Sequence, residues 1–162
     1  MPRVAVIYGS RLDEEVMRGA CDALDEFGVE YETMVVSAHR QPGKTAEFAQ
    51  NASTRGISVI IAGAGLSAAL PGVIASNTTI PVIGVPIAGG PLNGVDALYS
   101  IVQMPSGIPV ATVGISNARN AALLAVEILA LSDETLAVKL GEYRRGMNEG
   151  TPNYVMNNLG DS

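Results

Sequence analysis

The stretch VVSAHRQPGKT, residues 35–45, holds the chain's only histidine, His39, with Arg40 directly after it and Ser37 two residues before. An imidazole exchanges protons near pH 7, a guanidinium grips a phosphate bidentately, and a hydroxyl both donates and accepts. Three such groups in one turn could hold an anion and move a proton beside it. The same residues equally suit a solvated loop. A second stretch, YGSRLD at 8–13, offers Gly9 for a tight turn and Ser10 at the start of a helix whose free N–H groups favour an anion. Ser10-x-x-Asp13 also fits a capping box, which would spend both side chains on the helix. A third, AGAGLSAALPG at 62–72, matches the dinucleotide fingerprint at Gly63, Gly65 and Ala68. That fingerprint belongs after a first strand with an acid ~20 residues on, and here it follows the third apolar run and leads into IGVPIA. What remains is bare backbone that lets a flat ring or phosphate come close, or a turn that needs small residues.

Other motifs are excluded by their context. PGKT at 42–45 imitates the end of a phosphate-binding loop, but the required first glycine would fall at Ala38, so ATP is not implied. No G-x-S-x-G elbow is present, and the first apolar run ends in Tyr-Gly-Ser without paired acids for magnesium.

These groups need elements to position them. Runs rich in Val and Ile recur at 3–8, 30–36, 57–62, 81–85 and 109–113. Most are continuous rather than alternating, which suits strands covered on both faces of a parallel sheet with right-handed crossovers. Val16, Ala20, Leu24 and Phe27 repeat at helical spacing before Gly28, a stop signal. A second crossover helix is expected over roughly 42–55, with Pro42 in its first turn. NAALLAVEILAL at 120–131 is apolar all round and should be a buried helix. Ser132 is placed to cap a last helix with Leu136, Leu140, Tyr143 and Met147 on one stripe. In such a sheet ligands sit beyond the carboxyl ends of the strands, where all three stretches fall.

Composition sets the bounds. The 162 residues suit one domain, 48% apolar and 16% charged residues make a packing sequence, and the net charge of -6 argues against a nucleic-acid binder. Lone Cys21 and lone His39 preclude a disulfide and a Cys/His zinc cluster, so no metal is expected. Without a signal segment or a long apolar span, the chain reads as soluble and cytoplasmic, with no membrane partner. Residues 1–147 read as a single domain and 148–162 as a tail. Tyr154, Val155, Met156 and Leu159 could dock that tail on a neighbouring subunit.

Taken in order, GSRLD, VVSAHRQP, IIAGAG, LPGVIAS, LNGVDALYSIVQMPSGIPVATVGI and NAALLAVEIL resemble the 5-(carboxyamino)imidazole ribonucleotide mutases of purine biosynthesis, over about residues 3–147. VGISNARNAALLA and LSDETLAVKLGEYRR look closest to the archaeal-type members. The resemblance implies an α/β protomer with three α/β/α layers and a flavodoxin-like parallel five-stranded sheet, closed by a C-terminal helix. It implies a homo-octamer with active sites shared between subunits, a small nucleotide substrate, and no cofactor or metal. His39 becomes the general acid and base. Ser10, Asp13, Ser37, Ala38 and Arg40 become substrate-binding residues around the ribose and phosphate. Gly63, Ala64, Gly65 and Leu70 become the walls that hold the ring and carbon dioxide. Three departures stand out: Leu12 replaces the family's second serine, Ala69 replaces a histidine before Leu-Pro-Gly, and Ala88-Gly89-Gly90 replaces a Gln-Ser stretch. They leave open a relative that carboxylates aminoimidazole ribonucleotide directly, or a non-catalytic nucleotide binder. The direct carboxylases usually carry lysine after the histidine, and Arg40 favours the mutase.

Overall fold

The computed structural model describes residues 3–150. The tail residues Tyr154, Val155, Met156 and Leu159 lie outside that range. Five parallel strands, β1 (Val4–Tyr8), β2 (Tyr31–Val35), β3 (Val59–Gly65), β4 (Val82–Ile87) and β5 (Ala111–Thr112), form one sheet in the order β2-β1-β3-β4-β5. This is the flavodoxin-like doubly wound order. The chain adds β2 on one side of β1 and everything later on the other, so the switch point lies between the carboxyl ends of β1 and β3.

Because successive side chains in a strand point to opposite faces, each central strand feeds two cores. Val4, Val6 and Tyr8 of β1, Val59 and Ile61 of β3, and Ile83, Val85 and Ile87 of β4 face one layer. There they meet α1 (Glu14–Phe27), α5 (Ala118–Ala130) and α6 (Glu134–Asn148). Ala5 and Ile7, Ile60, Ala62 and Ala64, and Val82 face the other layer. That layer holds α2 (Pro42–Asn51), α3 (Leu70–Ser76) and α4 (Val95–Val102). Covering both faces explains why the strand runs are continuously apolar.

The helices follow their sequence signals closely, with four adjustments. α1 buries Met17, Ala20, Ala23, Leu24 and Phe27, leaves Val16 half-buried, and ends at Gly28 in the left-handed conformation, φ 69°. α2 starts with Pro42 as its first residue and ends at Asn51, and a separate 3₁₀ turn, Ser53–Arg55, completes the expected crossover. α5 is not buried all round: Leu123, Leu124 and Ile128 are only partly buried, and Leu131, past the helix end, is 88% exposed. α5 is wedged between the sheet and α1 on its inner side, and α6 covers only part of the rest. The cap of α6 is Asp133 rather than Ser132. Its carboxylate accepts the Leu136 N–H at 3.1 Å and also takes the Arg3 guanidinium at 2.8 Å, a pairing a serine cannot offer.

The strands shift as well. β3 runs through Gly63, Ala64 and Gly65, and β4 continues to Ile87, because Ala64 pairs with Pro86 and Gly65 with Ile87 in register. β5 shrinks to two residues, since Pro109 has no N–H for a ladder. Among the described residues, no helix is long and apolar enough to cross a membrane.

Candidate functional site

Register places two of the three stretches side by side. Tyr8, the last residue of β1, pairs with Val35 of β2 and Gly63 of β3, and the Val36 N–H donates to the Tyr8 carbonyl at 3.0 Å. Gly9 follows with the Val36 carbonyl oxygen 3.9 Å from where its Cβ would stand. The Ser10–Asp13 turn and the Ser37–Arg40 turn therefore leave neighbouring strand ends, with the glycine segment of β3 on the opposite side of β1.

Ser10 Oγ accepts the Leu12 N–H at 3.2 Å, capping a 3₁₀ turn, Arg11–Asp13, that leads into α1. Its carboxylate neighbour Asp13 is half-buried. Burial pushes the Asp13 carboxyl above the ordinary carboxylate value, and the Ser10 backbone N–H pulls in the other direction without cancelling it. Ser10 thus serves the helix as an acceptor and keeps its hydroxyl proton for another partner.

Around His39 the turn is closed by hydrogen bonds. The Arg40 N–H donates to Ser37 Oγ at 3.2 Å, and the Gln41 N–H donates to the Ser37 carbonyl at 2.7 Å. The Ser37 N–H donates to Gln41 Oε1 at 3.3 Å. His39 and Arg40 themselves point outward and are exposed, while Ser37 and Ala38 are half-buried. An imidazole and a guanidinium held on a closed turn, both in reach of solvent, can meet an incoming anion. Gln41 carries two of the three bonds that close this turn and was not singled out from the sequence, where it sits between two stronger signals, the arginine and the proline.

Gly63, Ala64, Gly65 and Leu70 are placed differently. A Cβ on Gly63 would stand 2.4 Å from Met17 Sδ and 3.1 Å from Ile87 Cδ1, so this glycine lets α1 lie on β3. Ala64 is buried in the opposite core, and Leu70, at the start of α3, is 2% exposed. These residues can offer a ligand backbone, not side chains. Gly65 is half-buried at the strand's end, with the Ile87 carbonyl 3.3 Å from its would-be Cβ.

Among the described residues, three other than glycine adopt the left-handed conformation, and each lies in a loop leaving the carboxyl end of a strand: Leu66 at φ 54°, Asn93 at φ 51° and Ser116 at φ 58°. Such strain concentrates at functional sites. Ser116 ties two loops together, its Oγ accepting the Ala88 N–H at 3.0 Å and its N–H donating to the Pro86 carbonyl at 2.7 Å. Only asparagine has a sequence preference for this conformation, so Leu66 and Ser116 gave no signal. Among the described residues, no three His, Cys, Asp or Glu side chains gather to hold a metal ion.

With that geometry in place, the likeness to known proteins is informative. The profile of the family described as AIR carboxylase matches residues 3–150. The chain belongs to the AIR carboxylase family. It is 55% identical over 147 residues to the N5-carboxyaminoimidazole ribonucleotide mutase of Thermotoga maritima, covering 91% of this chain and 86% of that protein. With the mutase of Aquifex aeolicus it shares 61% identity over 139 residues, 86% of this chain and 83% of the other. The phosphoribosylaminoimidazole carboxylase of Saccharomyces cerevisiae is 53% identical over 142 residues, 88% of this chain but 25% of that longer protein. The crystal structure of Treponema denticola PurE superposes with a TM-score of 0.83 at 27% identity, covering 99% of this chain and 100% of the other. Leu12 is 91% exposed, so this position lies on open surface and not in a packed wall. Ala69 is half-buried ahead of α3 and gives the helix no side-chain cap.

Proposed function

We propose that this protein moves the carboxylate of 5-(carboxyamino)imidazole ribonucleotide from the exocyclic nitrogen to ring carbon 4, giving 4-carboxy-5-aminoimidazole ribonucleotide. The observation that carries the reading is an exposed imidazole on a hydrogen-bonded turn at the switch-point end of the sheet, in a chain 52–61% identical to proteins named for this reaction. In the first step the carbon–nitrogen bond breaks, its electron pair stays on nitrogen, and protonated His39 supplies that nitrogen with a proton as carbon dioxide leaves. In the second, ring carbon 4 attacks the carbon dioxide, and neutral His39 removes the proton from that carbon. One proton is given and one taken, so no cofactor is consumed. Arg40 pairs with the phosphate and Ser37 and Ala38 flank it. Ser10 and Asp13 take the ribose end, where hydroxyl donors suit the carboxylate. Backbone at Gly63, Ala64, Gly65 and Leu70 contains the carbon dioxide.

Residues 1–147 act as one cytoplasmic domain in this reading, and 148–162 as a tail that docks on a neighbour in a homo-octamer. Leu92, Val95, Tyr99 and Val102, all at least 43% exposed along α4 and the loop before it, support assembly. Light scattering on the purified chain tests it, and a monomer at micromolar concentration would contradict it.

A second reading, direct carboxylation of aminoimidazole ribonucleotide, is favoured by the yeast relative's name. Arg40 speaks against it. Product formation from carboxyaminoimidazole ribonucleotide without bicarbonate, compared with aminoimidazole ribonucleotide plus bicarbonate, separates the two. Turnover of the second pair alone would overturn the mutase.

A further inference from the structure

We infer that Gln41 is a positioning residue for His39, acting through the turn that carries the imidazole; the inference rests on the catalytic reading of His39 given above. Gln41 occupies the N-cap position of α2, yet its side chain makes no cap bond to that helix. It turns back instead, and its Oε1 accepts the Ser37 N–H at 3.3 Å. Its own N–H donates to the Ser37 carbonyl at 2.7 Å, so both backbone groups of Ser37 are held by one residue four positions on. Pro42 contributes to this arrangement, since the first residue of α2 has no N–H that would compete for the amide.

The other end of Gln41 is fixed as firmly. Its carbonyl accepts two hydrogen bonds from Thr45, the N–H at 3.1 Å and Oγ1 at 2.9 Å. Thr45 is fully buried, the one polar side chain in the core among the described residues. A chain of bonds thus runs from the core through Thr45 and Gln41 to Ser37, and His39 and Arg40 ride on the loop it closes. Both side chains are exposed, so the turn fixes the backbone from which the imidazole projects. A catalytic group displaced by about an ångström can cost a large factor in rate. The Ser37 N–H is not deeply buried, so losing its acceptor costs the fold little while freeing the loop.

The test uses the full chain with Gln41→Ala, Gln41→Asn and Gln41→Glu. The amide of asparagine is one methylene short of Ser37, whereas a glutamate oxygen accepts the same N–H. Turnover of carboxyaminoimidazole ribonucleotide gives kcat and KM, thermal unfolding gives Tm, and carbon-13 relaxation of the imidazole, unambiguous in a one-histidine chain, reports the ring's mobility. Gln41→Ala and Gln41→Asn are expected to lower kcat about five- to tenfold, the worth of about one hydrogen bond. They should also raise ring mobility and leave Tm within about 2 °C. Gln41→Glu should restore both kcat and ring order. Unchanged ring mobility in Gln41→Ala, failure of Gln41→Glu to rescue, or a kcat loss matched by a collapse of Tm would each overturn the inference. Full turnover in His39→Asn would instead sink the catalytic reading, and the relaxation measurement, which needs no turnover, would still decide the role of Gln41.

Discussion

Gly63→Ala asks whether the glycines of β3 exist to cradle a ligand or to let a helix lie down. The added methyl carbon would stand 2.4 Å from Met17 Sδ, 3.0 Å from Met17 Cε and 3.1 Å from Ile87 Cδ1. Ordinary contact is roughly 3.5–4.0 Å, so Met17 must move by more than about 1 Å. Met17 has no exposed surface to move into. Overpacking of this kind costs about 1–3 kcal/mol. Met17→Ala alone should cost about 2–5 kcal/mol through the cavity it leaves. In the double variant the methyl added at position 63 fills part of that cavity, so the combined loss should fall short of the sum by about 1–2 kcal/mol. Urea unfolding followed by circular dichroism at one fixed protein concentration measures all three against wild type. Gly63→Ala with wild-type stability would refute the packing argument. Strict additivity in the double variant would refute it as well.

Two further outcomes follow from caps and burial. Asp133→Ala should lower Tm, because it removes both the cap on the Leu136 N–H and the partner of Arg3, whereas Ser132→Ala should stay within about 0.5 kcal/mol of wild type. Arg3, the first cause, and the Leu136 N–H hold the Asp133 carboxyl below the ordinary carboxylate range, so the Tm difference should be full at neutral pH and disappear as pH falls through that lowered value. Asp13 has the opposite sign. Burial raises its carboxyl, so the folded state binds the proton more tightly than the unfolded chain, and stability is lost as pH rises from about 3.8 through the raised value. Asp13→Asn should therefore be more stable than wild type at pH 7, with the gap closing below pH 3.8, while KM for the nucleotide rises. A lower Tm for Asp13→Asn at pH 7 would contradict the burial argument.

The sheet was legible because the runs that become the central strands β1, β3 and β4 are apolar enough to be covered on both faces, which suits parallel crossovers, whereas β2 and β5 at the edges are only partly buried. Strand ends were harder to read. The glycines of IIAGAG look like loop, yet Ala64 and Gly65 are kept in the ladder by their pairing with Pro86 and Ile87, a relation between segments far apart in sequence. The short helices α3 and α4 carry too few turns, and in α3 a proline and a glycine as well, for periodicity to show. At the end of α5, Leu131 reads as core because it is apolar, although the helix has already stopped. Of the candidate site, the turns holding Ser10 and His39 could be placed from strand order alone. Gln41 could not, since its part depends on a side chain folding backwards, and neither could the left-handed Leu66 and Ser116, whose conformation is imposed by the loops around them.

The central claim is that one imidazole carries the proton through both halves of the reaction. Steady-state turnover of carboxyaminoimidazole ribonucleotide by His39→Asn, with folding and assembly verified as wild type, tests it most directly. The account predicts a fall in kcat beyond the ~100–10,000-fold usual for general acid–base catalysis, since both steps lose their proton carrier, with KM little changed. Turnover within about tenfold of wild type would contradict it.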